Sequence, residues 1–262
     1  MPQELLLTGL REGIYTITLN RPEKLNALNR QLIAGLGRVM EEVYRRPDIR
    51  AVLITGAGEK AFAAGADIAE LASLDVEAAT ALARSVQQDV FDKIENCPKP
   101  VVAAVNGYAL GGGCELAMAC HFRTAAETAR FGQPEAGLGL IPGYGGTQRL
   151  TRLAGKGRAM EMMMSGGMID AATAERWGLV NHIYPPGQLL DASLRLLEKI
   201  RDNAPPALGR IIGLVNAASL GDAGGFDREI AAFGACFGTP EMQEGTRAFL
   251  EKRKPKFDGG ER

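Results

Sequence analysis

The period of the hydrophobic positions changes several times along this chain, and each change marks an element. Residues 4–20 read as a hairpin: Leu5–Leu7, a turn at Arg11-Glu12-Gly13, and Ile14–Leu19 with the alternation of a half-buried strand. The spacing then turns helical. Leu28, Leu32, Leu36, Val39, Met40 and Val43 share one face, Asn29 stands where an N-cap belongs, and Pro47-Asp48 ends the run. Ala51–Thr55 follows as a short, almost wholly apolar strand.

From there the pattern repeats loosely. Ala51–Thr55 leads through Gly56 to Phe62-Ala63-Ala64-Gly65 and a helix from about Asp67. Val101–Val105 leads through Gly107 to Tyr108–Gly113 and a helix from about Cys114. A weaker third copy runs through Ala129–Gly132, Gly137–Ile141 and a helix after Gly146. Units of strand, short strand and helix stack into a layered spiral rather than a doubly wound sheet. Beyond Ala171 the character shifts. A helix ending at Gly178 and a strand Leu179–Tyr184 precede an all-helical stretch: Leu189–Ile200, Pro206–Leu220, Phe226–Phe237 and Glu241–Lys254. Thr239 and Pro240 carry the start signal of the last helix.

Composition narrows the class of protein. At 262 residues, 46% hydrophobic and 23% charged, the chain can bury a large core. A net charge of −1 gives no bulk electrostatic reason to bind nucleic acid. No apolar run approaches the ~20 residues of a membrane span. Met1-Pro2-Gln3-Glu4 has neither a basic start nor an apolar signal core. Cys97, Cys114, Cys120 and Cys236 lack paired spacing and read as buried, reduced thiols. The expectation is a cytoplasmic protein with no nucleic-acid or membrane partner.

Candidate chemistry gathers at the glycines. Glu115 lies in Ala109-Leu-Gly-Gly-Gly-Cys-Glu-Leu116, and Glu135 in Phe131-Gly-Gln-Pro-Glu-Ala-Gly-Leu-Gly139. Either glutamate alone reads most simply as a helix-start or loop residue. Together, in a weakly solvated pocket, two carboxyls repel each other's charge, so one keeps its proton while the other ionises. Gly111-Gly112-Gly113 and Phe62-Ala-Ala-Gly-Ala-Asp-Ile68 could each donate one backbone N–H to a single oxygen, the arrangement that stabilises a carbonyl becoming an anion.

Other chemistries fare worse. Gly56-Ala57-Gly58 resembles a dinucleotide fingerprint, but Phe62-Ala-Ala-Gly follows where a helix should begin. Gly155-Lys156 lacks the rest of a phosphate loop, and no serine sits in a nucleophile elbow. Cys114, Cys120 and His121 could be imagined around a metal; with only two histidines and no finger spacing, core packing is the better reading and no metal is expected. Glu251-Lys-Arg-Lys-Pro-Lys256 is a basic tail that reads as a solvated helix end or a phosphate contact.

Five segments together resemble the crotonase (enoyl-CoA hydratase/isomerase) superfamily, of the bacterial short-chain enoyl-CoA hydratase type. They are Asn20-Arg-Pro-Glu-Lys-Leu-Asn-Ala-Leu28, Ala61–Ile68, Ala104–Ala117, Phe131–Glu135 continuing through Ile141–Leu150, and Ala248–Lys254. The resemblance implies an α/β fold: a crotonase-like spiral of ββα units over residues 1–190, then a helical trimerisation region over 191–262 that completes part of the CoA site. A homotrimer or homohexamer (a dimer of trimers) follows from it. By position, Ala66 and Gly112 would supply the oxyanion hole, Glu115 and Glu135 the two catalytic carboxyls, and Gly143 a contact to the reacting water. Lys24, Leu25, Ala27, Ala64, Asp67 and Ile68 would line the CoA site, with Phe233 and Lys252 approaching it from the helical region, of the same or a neighbouring subunit.

The implied reaction is reversible syn hydration of a trans-2-enoyl-CoA, short-chain and crotonyl-CoA-like, in fatty-acid or related acyl-CoA metabolism. No cofactor is expected beyond the CoA thioester substrate itself. A Δ3,Δ2-enoyl-CoA isomerase and an RNA-binding superfamily member are the alternatives; both glutamates favour hydration over the first, and the charge disfavours the second. His121 departs from the family pattern, where Asp more often follows the cysteine. Acyl-chain preference would depend on pocket depth, and so on the path of residues 69–90.

Overall fold

The computed structural model describes residues 4–257; the Met1-Pro2-Gln3 start read above, and residues 258–262, lie outside that range. Leu6–Arg11 (β1) and Ile14–Leu19 (β2) form the expected hairpin, with Glu12 and Gly13 at positive φ in the turn. β1 is longer than the sequence reading allowed. It is an edge strand exposed from Leu7 to Arg11, so no buried alternation marks its second half. Helix α1 (Arg30–Arg45) starts where Asn29 Oδ1 accepts the Leu32 N–H at 2.9 Å, and buries the predicted face through Leu32, Leu36, Met40 and Val43.

The repeat is real, and its logic is spatial. Each unit places a first strand in one sheet and a second, shorter strand in another. β3 (Ala51–Gly56) is followed by β4 (Ala61–Ala63), then α2 (Ile68–Leu71) and α3 (Val76–Val86). A π-helical turn, Gln87–Phe91, and α4 (Asp92–Glu95) continue α3. β5 (Val101–Val105) is followed by β6 (Tyr108–Leu110) and α5 (Gly112–Ala119). β7 (Phe122–Ala126) is followed by β8 (Arg130–Gly132), α6 (Gly146–Ala154) and α7 (Lys156–Ser165). After β9 (Met168–Asp170) and α8 (Ala171–Arg176), β10 (His182–Tyr184) closes the large sheet.

That sheet runs β1-β2-β3-β5-β7-β10 and the small one β4-β6-β8-β9; among the described residues, β1–β2 and β8–β9 pair antiparallel and the other neighbours parallel. Parallel strands covered on both faces need no polar side, which is why β3 and β5 read as unbroken apolar runs and are buried throughout.

The third unit corrects the sequence reading. Gly137–Ile141 is no strand: Glu135–Leu138 forms one 3-10 turn ended by Gly139 at φ +72°, and the pairing falls to β7 and β8 instead. β7 escaped notice because Arg123 and Thr124 interrupt its apolar pattern. Both are buried with partners: Arg123 donates to the carbonyls of Leu179, Ala117 and Cys120, and Thr124 meets Ser193 Oγ. The expected strand from Leu179 contracts to β10, because Leu179 and Val180 instead hydrogen-bond back to the Ala174 carbonyl at the end of α8. Cys97, Cys114 and Cys120 are buried free thiols as expected, whereas Cys236 is only half-buried.

The chain ends in α9 (Leu189–Arg201), α10 (Pro205–Ser219), α11 (Gly225–Cys236) and α12 (Pro240–Leu250). α9 packs its Leu189 and Leu197 on the large sheet, in a cluster with Ile14, Leu53 and Val102. α10 and α11 bury no residue, and α12 stops at Leu250, short of the Lys254 expected. No described helix is long and apolar enough to cross a membrane.

Candidate active site

Helix α5 runs through the interior with all eight residues buried, so its one charged residue, Glu115, is carried into the core. Gly111 before it holds φ +48°, a conformation that favours glycine, and a Cβ there would come within 2.7 Å of Glu135 Oε1. Gly113 allows α5 to lie directly on β4, where any Cβ would collide with the Ala63 carbonyl.

Glu115 is 1% exposed. Its Oε1 accepts two backbone N–H groups, from Tyr144 at 2.8 Å and Gly146 at 2.7 Å. Burial pushes its carboxyl up to about 7, against the pull of those two donors and of Arg149; the charge of Glu135 adds to the rise. Glu135 sits at the start of its 3-10 turn after Pro134, half-buried, and burial raises its carboxyl as well. Gln133 is buried beside Glu135. With its amide nitrogen turned toward Glu135, it donates to both carboxyl oxygens at 3.0 and 3.1 Å. The other end of that amide faces Gly146, where a Cβ would approach to 3.0 Å.

The two candidate donor loops converge. A Cβ placed on Gly112 would stand 3.5 Å from the Ala66 nitrogen. Gly112 opens α5, so its N–H belongs to the first-turn donors that have no intrahelical acceptor. The bridge between Leu28 and Ala66 uses the Gly65 carbonyl and the Asp67 N–H, and so leaves the Ala66 N–H out. Gly143 is exposed at the rim, one residue before Tyr144, with open space where a side chain would be.

The loop 21–28 is fastened to this wall. Leu25 and Asn26 both take positive φ, and the Ala64 N–H donates to the Leu25 carbonyl at 3.0 Å. Buried Asn26 secures the turn: its Oδ1 accepts the Arg21 N–H, and its Nδ2 donates to the Ala57 and Ala61 carbonyls. Arg21 donates to the Ala27 carbonyl and to Asp67. Lys24, Leu25, Ala27, Ala64, Asp67 and Ile68 therefore lie on two segments tied edge to edge, with Leu25 and Ile68 partly exposed. Among the described residues, Phe233 and Lys252 make no side-chain hydrogen bond or ion pair to these segments. Phe233 is exposed on α11, where its ring meets Phe237, and Lys252 is exposed after α12.

The metal alternative dissolves in the hydrogen bonds. Cys120 Sγ donates to the Leu116 carbonyl, and the His121 ring accepts the Val101 N–H on Nδ1 and meets the Glu95 carbonyl through Nε2. Burial holds His121 down at about 4, so it is a neutral bracket between β5 and α4. The dinucleotide alternative fails too, since β3 leads into a strand instead of a helix.

Tyr144, Gly146, Gln133, Asn26, Arg21 and Arg149 were not singled out from sequence. The first two act through backbone N–H groups, which residue type does not announce. Gln133 and Asn26 stand inside quoted motifs and could have been found by asking what satisfies a buried glutamate or a tight turn.

Residues 9–260 match the family model described as enoyl-CoA hydratase/isomerase. The chain belongs to that family. Among similar proteins, the short-chain-enoyl-CoA hydratase of Clostridium acetobutylicum is 43% identical over 248 residues, covering 93% of this chain and 94% of the relative. The crotonyl-CoA hydratase of Syntrophomonas wolfei is 42% identical over 261 residues, covering 98% and 99%. The crystal structure of an enoyl-CoA hydratase from Bacillus anthracis superposes with a TM-score of 0.92 at 37% identity, covering 98% of this chain and all of that one. The spiral of ββα units is thus the fold of the enoyl-CoA hydratase/isomerase family, carried over nearly the whole chain.

Proposed function

We propose that this chain is an enoyl-CoA hydratase, a hydro-lyase that adds water reversibly and syn across a short trans-2-enoyl-CoA to give the 3-hydroxyacyl-CoA. The observation that carries this reading is the pair of carboxyls, Glu135 against Gly111 and buried Glu115 near enough to feel its charge, with Glu115 anchored by two backbone N–H groups.

In this reading the thioester oxygen accepts from the Ala66 and Gly112 N–H groups, which favour the enolate as it develops. Losing one such donor typically costs about 2.7–4 kcal/mol in the transition state. Ionised Glu115 takes the proton of a water held near Gly143 as its oxygen attacks C3; protonated Glu135 delivers a proton to C2. Such proton transfers contribute roughly 10²–10⁴-fold. Burial raises Glu115 strongly, which by itself runs against its being the base. Substrate reverses the balance on physical grounds. Glu115 is already out of water and keeps its two N–H donors, whereas half-exposed Glu135 loses solvent when the acyl group covers it.

The substrate's CoA serves as a handle and no further cofactor enters the scheme. Lys24, Leu25, Ala27, Ala64, Asp67 and Ile68 would flank it. Phe233 and Lys252, exposed on the helical region, would reach it from a neighbouring subunit in a trimer or a dimer of trimers. The exposed apolar side chains of α10 and α11, among them Ile211, Val215, Phe226 and Ile230, support residues 191–262 as the assembly region of a spiral core spanning 1–190. A cytoplasmic setting agrees with the free thiols.

Mixing the purified protein with crotonyl-CoA and following loss of the conjugated thioester's ultraviolet absorbance tests the proposal. Hydration removes the absorbance and yields 3-hydroxybutyryl-CoA by mass. No loss with crotonyl-, hexenoyl- or decenoyl-CoA would refute it, and conversion of a 3-enoyl-CoA without hydration would make the chain an isomerase instead.

A further inference from the structure

The two N–H groups that hold Glu115 belong to a four-residue loop, 143–146, and something must hold the loop. Gly145 takes φ +97°, so the Tyr144 and Gly146 N–H groups turn toward Glu115 while the Tyr144 carbonyl turns away. That carbonyl accepts from Arg149 Nη1 at 3.0 Å. Arg149 is 4% exposed and spends its remaining donors on one neighbouring segment: Glu95 Oε2 at 2.6 and 3.2 Å, Gln87 Oε1 at 3.3 Å and Asp92 Oδ1 at 3.4 Å. Gln87–Phe91 is the π-helical turn, a distortion that recurs at functional sites, and its Phe91 ring stands edge-on to Tyr144 at 5.9 Å. Glu95 is itself pinned, its carbonyl meeting both His121 and Asn216.

We infer that Arg149 is a positioning residue for Glu115, fixing the 143–146 loop through the Tyr144 carbonyl and coupling it to the helical segment 76–95. The inference rests on the hydratase reading for its kinetic consequences, though not for its structural ones. A buried ion pair contributes little net stability compared with apolar residues of the same volume. What Arg149 supplies is a planar fork that no lysine reproduces, together with a fixed positive charge near a buried carboxyl. Around Glu115, that charge acts against burial and the Glu135 carboxyl; the Tyr144 hydroxyl and the Cys114 thiol, both raised, stay neutral. Around Arg149 the facing charges are Asp92 and Glu95 from α4.

The test compares Arg149→Lys and Arg149→Met with the parent enzyme, each checked for folding and assembly by thermal melt and size-exclusion chromatography. Steady-state rates on crotonyl-CoA are taken across pH. Glu115 ionisation is followed in parallel by infrared difference spectroscopy, using the carboxyl band that Glu115→Gln removes. Arg149→Met should lose about 100-fold in kcat with KM little changed, as expected when a supporting group lets a reacting group drift by ~1 Å. Its Glu115 titration and the acid limb of its rate profile should move about one unit to higher pH. Arg149→Lys should keep the titration near the parent's and still lose about tenfold in kcat, since the fork is gone.

Folded variants with parental kcat, or with a lower kcat but a raised KM and an unmoved Glu115 band in Arg149→Met, would overturn the inference. Should Arg149→Met not fold, parental kcat in folded Arg149→Lys is enough to overturn it. If the parent hydrates nothing, the hydratase reading falls, and the infrared titration of the two variants still decides the role of Arg149.

Discussion

Glu115 projects from a helix buried along its whole length, while Glu135 starts a 3-10 turn that meets solvent on one side. The same side chain is therefore held in two ways. Glu115 is fixed by backbone N–H groups of a loop some thirty positions away in sequence, whose own anchor is Arg149. Glu135 is held by a side-chain amide two residues before it. One carboxyl has already lost its water, and the other loses it only when a ligand arrives. The difference shows how unequal burial and unequal hydrogen bonding can give a symmetric-looking pair unequal protonation.

The comparison breaks first at the carboxyls themselves. Glu115→Gln should lower kcat on crotonyl-CoA by about 10³-fold and Glu135→Gln by a comparable or smaller factor, with folding intact. Near-parental turnover in either folded variant would end its assignment.

Stability against pH separates the two environments next. The Glu115 carboxyl is raised in the folded protein from about 4.5 to about 7. Both states are protonated below about 4.5, where the shift costs nothing; the cost then grows until pH 7 and levels off above it. Glu115→Gln removes that cost and should be more stable than the parent by up to about 3 kcal/mol at pH 8, with the gap closing near pH 4.5. Urea melts at the two pH values measure it, and a gap independent of pH would contradict the buried-carboxyl account.

The rate profile offers a milder test. If Glu115 must be ionised, kcat/KM in the parent should fall as pH drops below about 7, and Glu115→Gln should lack that limb in its residual activity. The smallest expected effect concerns Gln133. Gln133→Leu removes the donors that favour ionised Glu135, so the proposed acid should keep its proton to higher pH and the basic limb should move upward. About a tenfold loss of kcat at neutral pH should accompany it, from a looser carboxyl. An unmoved basic limb would show that Gln133 only fills space.

Much of this was legible in the chain. Hydrophobic period located the hairpin, α1 and the two apolar strands β3 and β5, while cap residues such as Asn29 and Thr239 marked helix starts, because each of these signals is local in the chain. It failed where local pattern and tertiary role disagree. β7 carries buried polar residues whose partners lie in other elements, and the edge strand β1 has too little burial to alternate. In the candidate site, motif position and the family resemblance pointed to Glu115, Glu135, Ala66 and Gly112. Neither named Gln133 or Arg149, which matter for what they touch rather than for any spacing.

What the sequence by itself determined is the order of the ββα units, the glycines that let backbones meet, and the two acidic residues placed among them. These depend on propensity, period and the absence of a side chain, all properties of nearby residues. Only the tertiary structure decided that Glu115 would be gripped by the Tyr144 and Gly146 N–H groups, that Arg149 would brace them, and that Glu135 would stay in reach of water. Those outcomes rest on distances between segments far apart in the chain, and a carboxyl's charge state follows from that packing.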